Sequence, residues 1–201
     1  MTVPEEIKAD FQNKDFSERK ELLSFFWEVI RIVVISVAII VPVRYFLVQP
    51  FFVRGASMES LFEDGDYLLI DEISYRFRQP QRGEVIVFRA PEDKSQFYIK
   101  RIIGLPGEEV QIKDGEITIL NKENPKGLDL DESLYLDKGV KTIGNLNISI
   151  GPGEYFVLGD NREHSSDSRI WGQVNKKLIT GRAFFRAWPF DKVTKFKEVV
   201  Y

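Results

Sequence analysis

The sequence predicts a mainly β domain carried behind a single N-terminal transmembrane helix. Two observations support that fold class. An apolar stretch, IVVISVAIIVPV from Ile32 to Val43, stands near the start of a 201-residue chain. Beyond Pro50 come short β-branched and aromatic runs, YLLIDEISY, GEVIVFRAP, FYIKRIIGLPG, EVQIKDGEITIL and GEYFVLGDN, divided by Gly, Pro and Asp. A hydrophobic content of 43% suffices for one medium domain with a core and one extra segment.

Residues 1–24 are polar and of mixed charge, and read as a tail. The uncharged heart of the apolar stretch is shorter than the roughly 20 residues a hydrocarbon core requires. Its flanks extend it to 25–48 and bring in Glu28, Arg31 and Arg44. Glu28 and Arg31 stand at helical i,i+3 spacing and can pair, while Arg44 can snorkel toward a headgroup. A single anchor in a lipid bilayer over 25–48 is expected, with a buried or interfacial helix as the alternative. A cleaved signal peptide fits less well, since no small-x-small site follows closely. Lys14, Arg19 and Lys20 precede the span, Arg31 lies at its near end, and Arg44 and Arg54 lie at its far end. That balance favours the N-terminus inside and the C-terminal domain outside.

Residues 49–201 then form the domain. The even spacing of its runs predicts an antiparallel β-sandwich or barrel-like fold. The stretch 121–147 is more polar and reads as a loop-rich insertion.

Composition narrows the chemistry. The net charge is −3 with acids and bases interspersed, which points to no nucleic-acid partner. Cysteine is absent, so disulfides, thiolate metal sites and Cys-His nucleophile pairs fall away together. The one histidine, His164, argues against a His-based metal cluster, and no metal or cofactor is expected. A nucleophile candidate appears in VRGASMESLFEDGD, where the Gly55-Ala56 turn presents Ser57 just after an apolar run. Serine attacks a carbonyl only when a neighbouring base takes its proton. The candidate bases are His164 and a lysine held neutral by burial.

Strand alternation in QFYIKRIIGLPGE puts Tyr98, Lys100 and Ile102 on one face and Ile99, Arg101 and Ile103 on the other. Two consecutive basic residues on an apolar strand require one face to bury a charge or neutralise it, unless the lysine lies solvated at an edge. A third stretch, GDNREHSSDSRIWG, follows an apolar strand and is dense in hydrogen-bonding groups. It reads either as a polar loop of Asx and Ser turns or as an orienting network. In the second reading Asp160, Arg162, Asp167 and Arg169 pair, and Ser165, Ser166 and Ser168 bond a catalytic side chain.

Taken in order behind an N-terminal span, the blocks GASM, GDYLLIDEISY, RGEVIVFR, YIKRIIGLPGE and GDNREHSSDSRIWG resemble type I signal peptidase (leader peptidase). The resemblance covers Leu22 to the C-terminus. It implies Ser57 as nucleophile, Lys100 as general base, and Ser165 as the hydroxyl that orients the lysine. It implies salt bridges of Asp160 with Arg101 and of Asp167 with Arg169, and the backbone N–H of Ser57 as oxyanion donor. Gly55 stands where some members add a hydroxyl to that hole. Val53 and Ile99 match positions lining the pockets for small substrate side chains. Implied partners are the signal peptides of exported preproteins, cut after Ala-x-Ala-like sites. The implied place is a bacterial-type cell membrane, crossed once, with the catalytic domain on the extracytoplasmic side.

One departure stands out. The family usually has Pro-Thr, sometimes Pro-Asn, beginning three residues after the nucleophile, and this chain has Ser60-Leu61. That leaves open a catalytically weakened, membrane-anchored β-domain that binds exported peptides. A Ser-His-Asp triad through His164 is the other enzymatic alternative. Soluble self-cleaving repressors share a Ser-Lys pair on a related fold, but they carry a DNA-binding domain and lack a span.

Overall fold

The computed structural model describes residues 22–41, 48–196, 199 and 201. The chain forms two units, Met1–Tyr45 and Phe46–Tyr201.

In the first unit, α1 (Leu22–Val41) is a 20-residue helix. At 1.5 Å per residue it is about 30 Å long, the thickness of a hydrocarbon core. Its apolar side chains project on every side, and Trp27, Ile32 and Ile39 are all exposed, so the helix is long and apolar enough to cross a membrane. The helix begins inside the stretch expected as tail, and Val48, expected to close the span, opens the first strand instead. The expected charges at Lys14, Arg19, Lys20 and Arg44 lie outside the described residues.

The second unit is built from antiparallel strands. They are β1 (Val48–Phe52), β2 (Tyr67–Asp71), β3 (Val85–Arg89), β4 (Phe97–Gly104), β5 (Glu109–Lys113) and β6 (Glu116–Leu120). After them come β7 (Leu128–Asp129), β8 (Leu146–Ser149), β9 (Glu154–Leu158), β10 (Val174–Asn175), β11 (Ile179–Trp188) and β12 (Thr194–Lys195). Two short helices, α2 (Ser74–Phe77) and α3 (Ser168–Trp171), complete it. The larger sheet has the order β1-β2-β11-β3-β4-β9-β10, with β12 beside β11; the smaller has the order β7-β6-β5-β8. The mainly β, two-sheet architecture read from the spacing is the one observed.

The larger sheet is covered on both faces, which explains the unbroken apolar run in β3. Val85 and Val87 pack with Met58, Phe62, Leu68 and Ile70, whereas Ile86 and Phe88 pack with Ile102 and Val157. In the smaller sheet, period-two alternation sends Val110, Ile112, Ile117 and Ile119 inward against Phe156 and Leu158. The insertion is more ordered than its polarity suggests. It contributes β7, a tight 3-10 turn at Glu132–Leu134, and the start of β8, because Leu130, Leu146 and Ile148 pack on the same core.

One feature of the pairing positions the site. β4 pairs with β3 along residues 97–101, but with β9 only from Arg101 onward. The edge of β4 facing away from β3 is therefore open at residues 97–100.

Candidate active site

Ser57 sits on a turn fixed from both ends. Upstream, buried Val53 donates its N–H to the Asp66 carbonyl at 2.9 Å and accepts from Gly65 N at 3.0 Å. Gly55 then takes φ +89°, a left-handed conformation that favours glycine, and donates to Asp64 Oδ1 at 2.7 Å. Downstream, Met58 and Phe62 are both buried in the core, and Phe62 N donates to the Met58 carbonyl at 2.8 Å. Where the resemblance would place proline, Ser60-Leu61 is instead held by these two flanking anchors. Arg186, paired with Asp66 at 2.9 Å, adds a hydrogen bond from Nη2 to the Leu61 carbonyl.

The loop after β9 clamps the same turn. Asn161 donates its backbone N–H to the Ser57 carbonyl at 3.1 Å and its Nδ2 to the Ala56 carbonyl at 3.0 Å. Gly159 permits this approach: a Cβ there would stand 2.4 Å from the Ser57 carbonyl oxygen and 2.2 Å from Ser165 Oγ. Neither role was read from sequence. The available signal was the GDN run itself, an amide directly after Asp160 at the end of a buried strand.

Lys100 and Arg101 are adjacent and both buried, at 4% and 3% exposure, yet they are treated oppositely. Arg101 is fully paired. Its Nε and Nη2 donate to the two Asp160 oxygens at 2.8 and 2.6 Å, and Nη1 donates to the Gly83 carbonyl at 2.7 Å. The ring of Tyr135, from the insertion, lies 4.0 Å from its guanidinium carbon. Burial works against that charge, but the bonds to Asp160 outweigh it and hold the guanidinium pKa above its usual value. Lys100 has no such partner. Its Nζ donates to Ser57 Oγ at 2.8 Å and to the Ile99 carbonyl at 3.0 Å, both neutral groups. Burial pushes its pKa down from 10.5 to about 8, against the upward pull of the Asp167 and Asp160 charges.

The remaining loop residues divide. Asp167 and Arg169 form the expected pair, Nε to Oδ1 and Nη2 to Oδ2, each at 2.8 Å. Asp167 Oδ2 also accepts from Gly159 N at 3.1 Å. The Arg162 side chain does not join them, although the residue's backbone carbonyl accepts from Arg169 Nη2 at 2.8 Å. It is buried and pairs with Glu132 of the insertion, with Nη1 to Oε2 at 2.8 Å, and also donates to Thr142 Oγ1. The reason is reach: its guanidinium extends across the loop into the insertion. Ser165 is buried beside Gly159, but its Oγ makes no hydrogen bond, so the bond expected from it to Lys100 is not formed here. Ser168 Oγ accepts from Val157 N at 3.0 Å, a structural bond that ties α3 to β9.

Beside Ser57 opens a cavity of about 390 Å³. Val53 and Ile99 line it, with Phe51, Leu68, Val87 and Phe97. Lys100 stands at one wall and His164 at the rim. The hydrogen bonds of His164 come from its backbone N–H, to the carbonyl and side-chain oxygens of Asn161, while Ser57 Oγ is met by Lys100. The Ser57 N–H donates to no group among the described residues.

A hydroxyl bonded to a buried amine at the mouth of an apolar cavity suits a serine hydrolase whose base is lysine rather than imidazole. Comparison with known proteins gives the family. The family described as "Signal peptidase, peptidase S26" matches residues 26–188, and the chain belongs to it. A probable signal peptidase I-2 of Synechocystis is 37% identical over 166 residues, 80% of this chain and 72% of that protein. A signal peptidase IB of Staphylococcus aureus is 35% identical over 187 residues, covering 87% of this chain and 93% of that protein. The crystal structure of a signal peptidase I from Enterococcus faecalis aligns with a TM-score of 0.43 at 32% identity, covering 52% of this chain and 97% of that one.

Proposed function

We propose that this chain is a membrane-anchored serine endopeptidase that removes signal peptides from exported preproteins, with Ser57 as nucleophile and Lys100 as base. The observation that carries this reading is the 2.8 Å bond from Lys100 Nζ to Ser57 Oγ, made by an amine that burial brings to a pKa of about 8. In its neutral form the amine takes the Ser57 proton as Oγ bonds to the scissile carbonyl carbon. The carbonyl oxygen becomes an oxyanion, which the Ser57 N–H receives. The C–N bond then breaks, and the leaving amine takes the proton back from Lys100. Water, deprotonated by Lys100, next hydrolyses the Ser57 ester and frees the enzyme. Asp160 with Arg101, and Asp167 with Arg169, hold the base and its loop in place, and Ser165 is proposed to bond the ammonium when it forms.

Substrate preference follows from the cavity. It lies between β1 and the open edge of β4, a slot that an extended peptide fills as an added strand. Alternate side chains of such a strand point inward, toward Val53 and Ile99. The residue at the cut and the one two before it are therefore small, as in Ala-x-Ala. In this reading α1 crosses the cell membrane of a bacterial-type cell once, and the catalytic domain faces the extracytoplasmic side, where exported chains emerge.

The test uses the full chain in detergent with a preprotein carrying an Ala-x-Ala site. Cleavage after the second Ala is expected, and its loss in both Ser57→Ala and Lys100→Arg, since guanidinium does not give up its proton near neutrality. Equal cutting of substrates with bulky residues at those two positions would refute the pocket assignment. Activity retained in Lys100→Arg would refute the base.

A further inference from the structure

We propose that a second groove, on the other side of Ser57 from the apolar cavity, receives the first residues of the chain released by cleavage, and that its acidic rim favours basic residues there. This rests on the protease reading above and deepens it.

The groove has a volume of about 680 Å³. The two hollows share the same pair of loops in sequence. The apolar cavity takes residues 54–57 of the nucleophile turn and His164 and Ser166 of the following loop. The groove takes Glu59 and Ser60 of the turn and residues 160–163 of the loop. Ser57 lines the apolar cavity, and Asn161, whose N–H bonds the Ser57 carbonyl at 3.1 Å, lines the groove, so this bond links the two hollows. A peptide bond held over Ser57 with its preceding residues in the apolar cavity sends its following residues into the groove.

The far wall is a built surface rather than a loose loop. It comes from the insertion, where Val140 and Ile143 present exposed apolar side chains. The buried Arg162 under the groove grips this wall through Glu132 and Thr142. Thr142 N donates to the Gly115 carbonyl at 3.0 Å, and Arg169 Nη1 donates to the Ile143 carbonyl at 3.4 Å.

Charge gives the groove its preference. Asp160 and Arg162, which also line it, are spent on Arg101 and Glu132. Of the exposed lining residues, Glu59, Asp137 and Glu163 are acidic, and Lys138 and Lys141 are basic. Lys141 is turned toward the β5–β6 connection, donating to the Asp114 carbonyl at 3.3 Å. Three carboxylates then face two ammonium groups, one of them drawn to the side, and the rim is net negative by one charge. A cationic side chain in the second or third position after the cut meets a net negative rim.

The test measures kcat/KM of the full chain in detergent on Ala-x-Ala peptides that differ only in the second and third residues after the cut: Lys, Ala or Glu. At low salt the order Lys, Ala, Glu is expected, with roughly fivefold between the extremes, shrinking toward unity in about 0.5 M salt. Glu163→Lys should level or reverse that order, because a rim charge acts by field on the charged side chain. Val140→Trp, which narrows the groove, should raise KM for peptides extending four residues past the cut. It should spare a substrate whose leaving group is a single anilide. Indifference to the residues after the cut, in an enzyme that still needs Ser57, would overturn the groove and leave the protease reading standing. An unchanged order in Glu163→Lys would overturn its acidic rim. Loss of all Ser57-dependent cleavage in the unsubstituted chain would instead refute the protease reading.

Discussion

Replacing Lys100 by methionine, similar in length and uncharged, separates what this amine costs the fold from what it gives the reaction. In the folded domain its pKa is about 8 against an ordinary 10.5, equivalent to about 3 kcal/mol of lost stability while the amine is charged. Its two hydrogen bonds, to Ser57 Oγ and the Ile99 carbonyl, return about 1 kcal/mol. The methionine variant should therefore be more stable at pH 7 by about 2 kcal/mol, or roughly 4–8 °C in Tm for a domain of this size. At higher pH this advantage shrinks, and above the titration window only the wild type's two hydrogen bonds remain, about 1 kcal/mol in its favour. Between about 8 and 10.5 the unfolded chain holds the proton that the folded one has released, so wild-type stability rises with pH there. The penalty is complete below that window and gone above it. The Tm gap between variant and wild type should thus be constant from pH 6.5 to 7.5 and narrow steadily toward pH 10. Activity reports the same titration. At pH 6 about one lysine in a hundred is neutral, so kcat/KM should climb nearly tenfold per pH unit and level off above about 8. Tryptophan fluorescence melts of both full-length proteins, with peptide cleavage from pH 5.5 to 9.5, measure the two curves. A methionine variant less stable than wild type at pH 7, or a rate that is flat between pH 6 and 8, would refute a buried, deprotonating lysine.

Gly159→Ala places a methyl group 2.4 Å from the Ser57 carbonyl oxygen, so the nucleophile turn must move. A fall in kcat/KM of about a hundredfold or more is expected, because a displacement of about 1 Å is enough to cost that much. Full activity with unchanged Tm would show that the turn is not held by this contact. His164→Asn should keep kcat/KM within about threefold, since Ser57 Oγ is already served by Lys100; a loss near a thousandfold would make the imidazole the general base.

Local pattern made much of this architecture legible, and distance in sequence hid the rest. β-Branched runs between turn residues announced the strands, and the burial of β3 on both faces was written in its unbroken VIVF. The Asp167–Arg169 pair spans two residues and could be read directly. The partner of Arg162 could not, because Glu132 lies thirty residues away in a stretch whose polarity reads as loop. Polarity there reflects side chains that bond to one another across the insertion, and composition does not distinguish such bonds from bonds to water. Tyr135 over Arg101 was hidden for the same reason. Ser60-Leu61 misled in the opposite direction: a missing proline removes one way of fixing a turn, but Met58 and Phe62, on either side, supply another through burial.

The adjacent pair at 100 and 101 shows why this strand needs both basic residues. Arginine keeps its proton at any working pH, so a buried arginine must be given a carboxylate, and Arg101 takes both oxygens of Asp160. Lysine can yield its proton, so burial without a carboxylate turns it into a base. The two acids whose charges pull upward on Lys100 are Asp167 and Asp160, and each is already held by an arginine, Arg169 or Arg101. These ion pairs therefore stiffen the site and also spend the negative charge that would otherwise keep the amine protonated. An acid freed of its arginine would stabilise the ammonium of Lys100 and move its titration upward. In the proposed mechanism, the ion pairs that hold the loop in shape are thus also the condition under which a lysine beside two aspartates accepts the proton of Ser57 near neutrality.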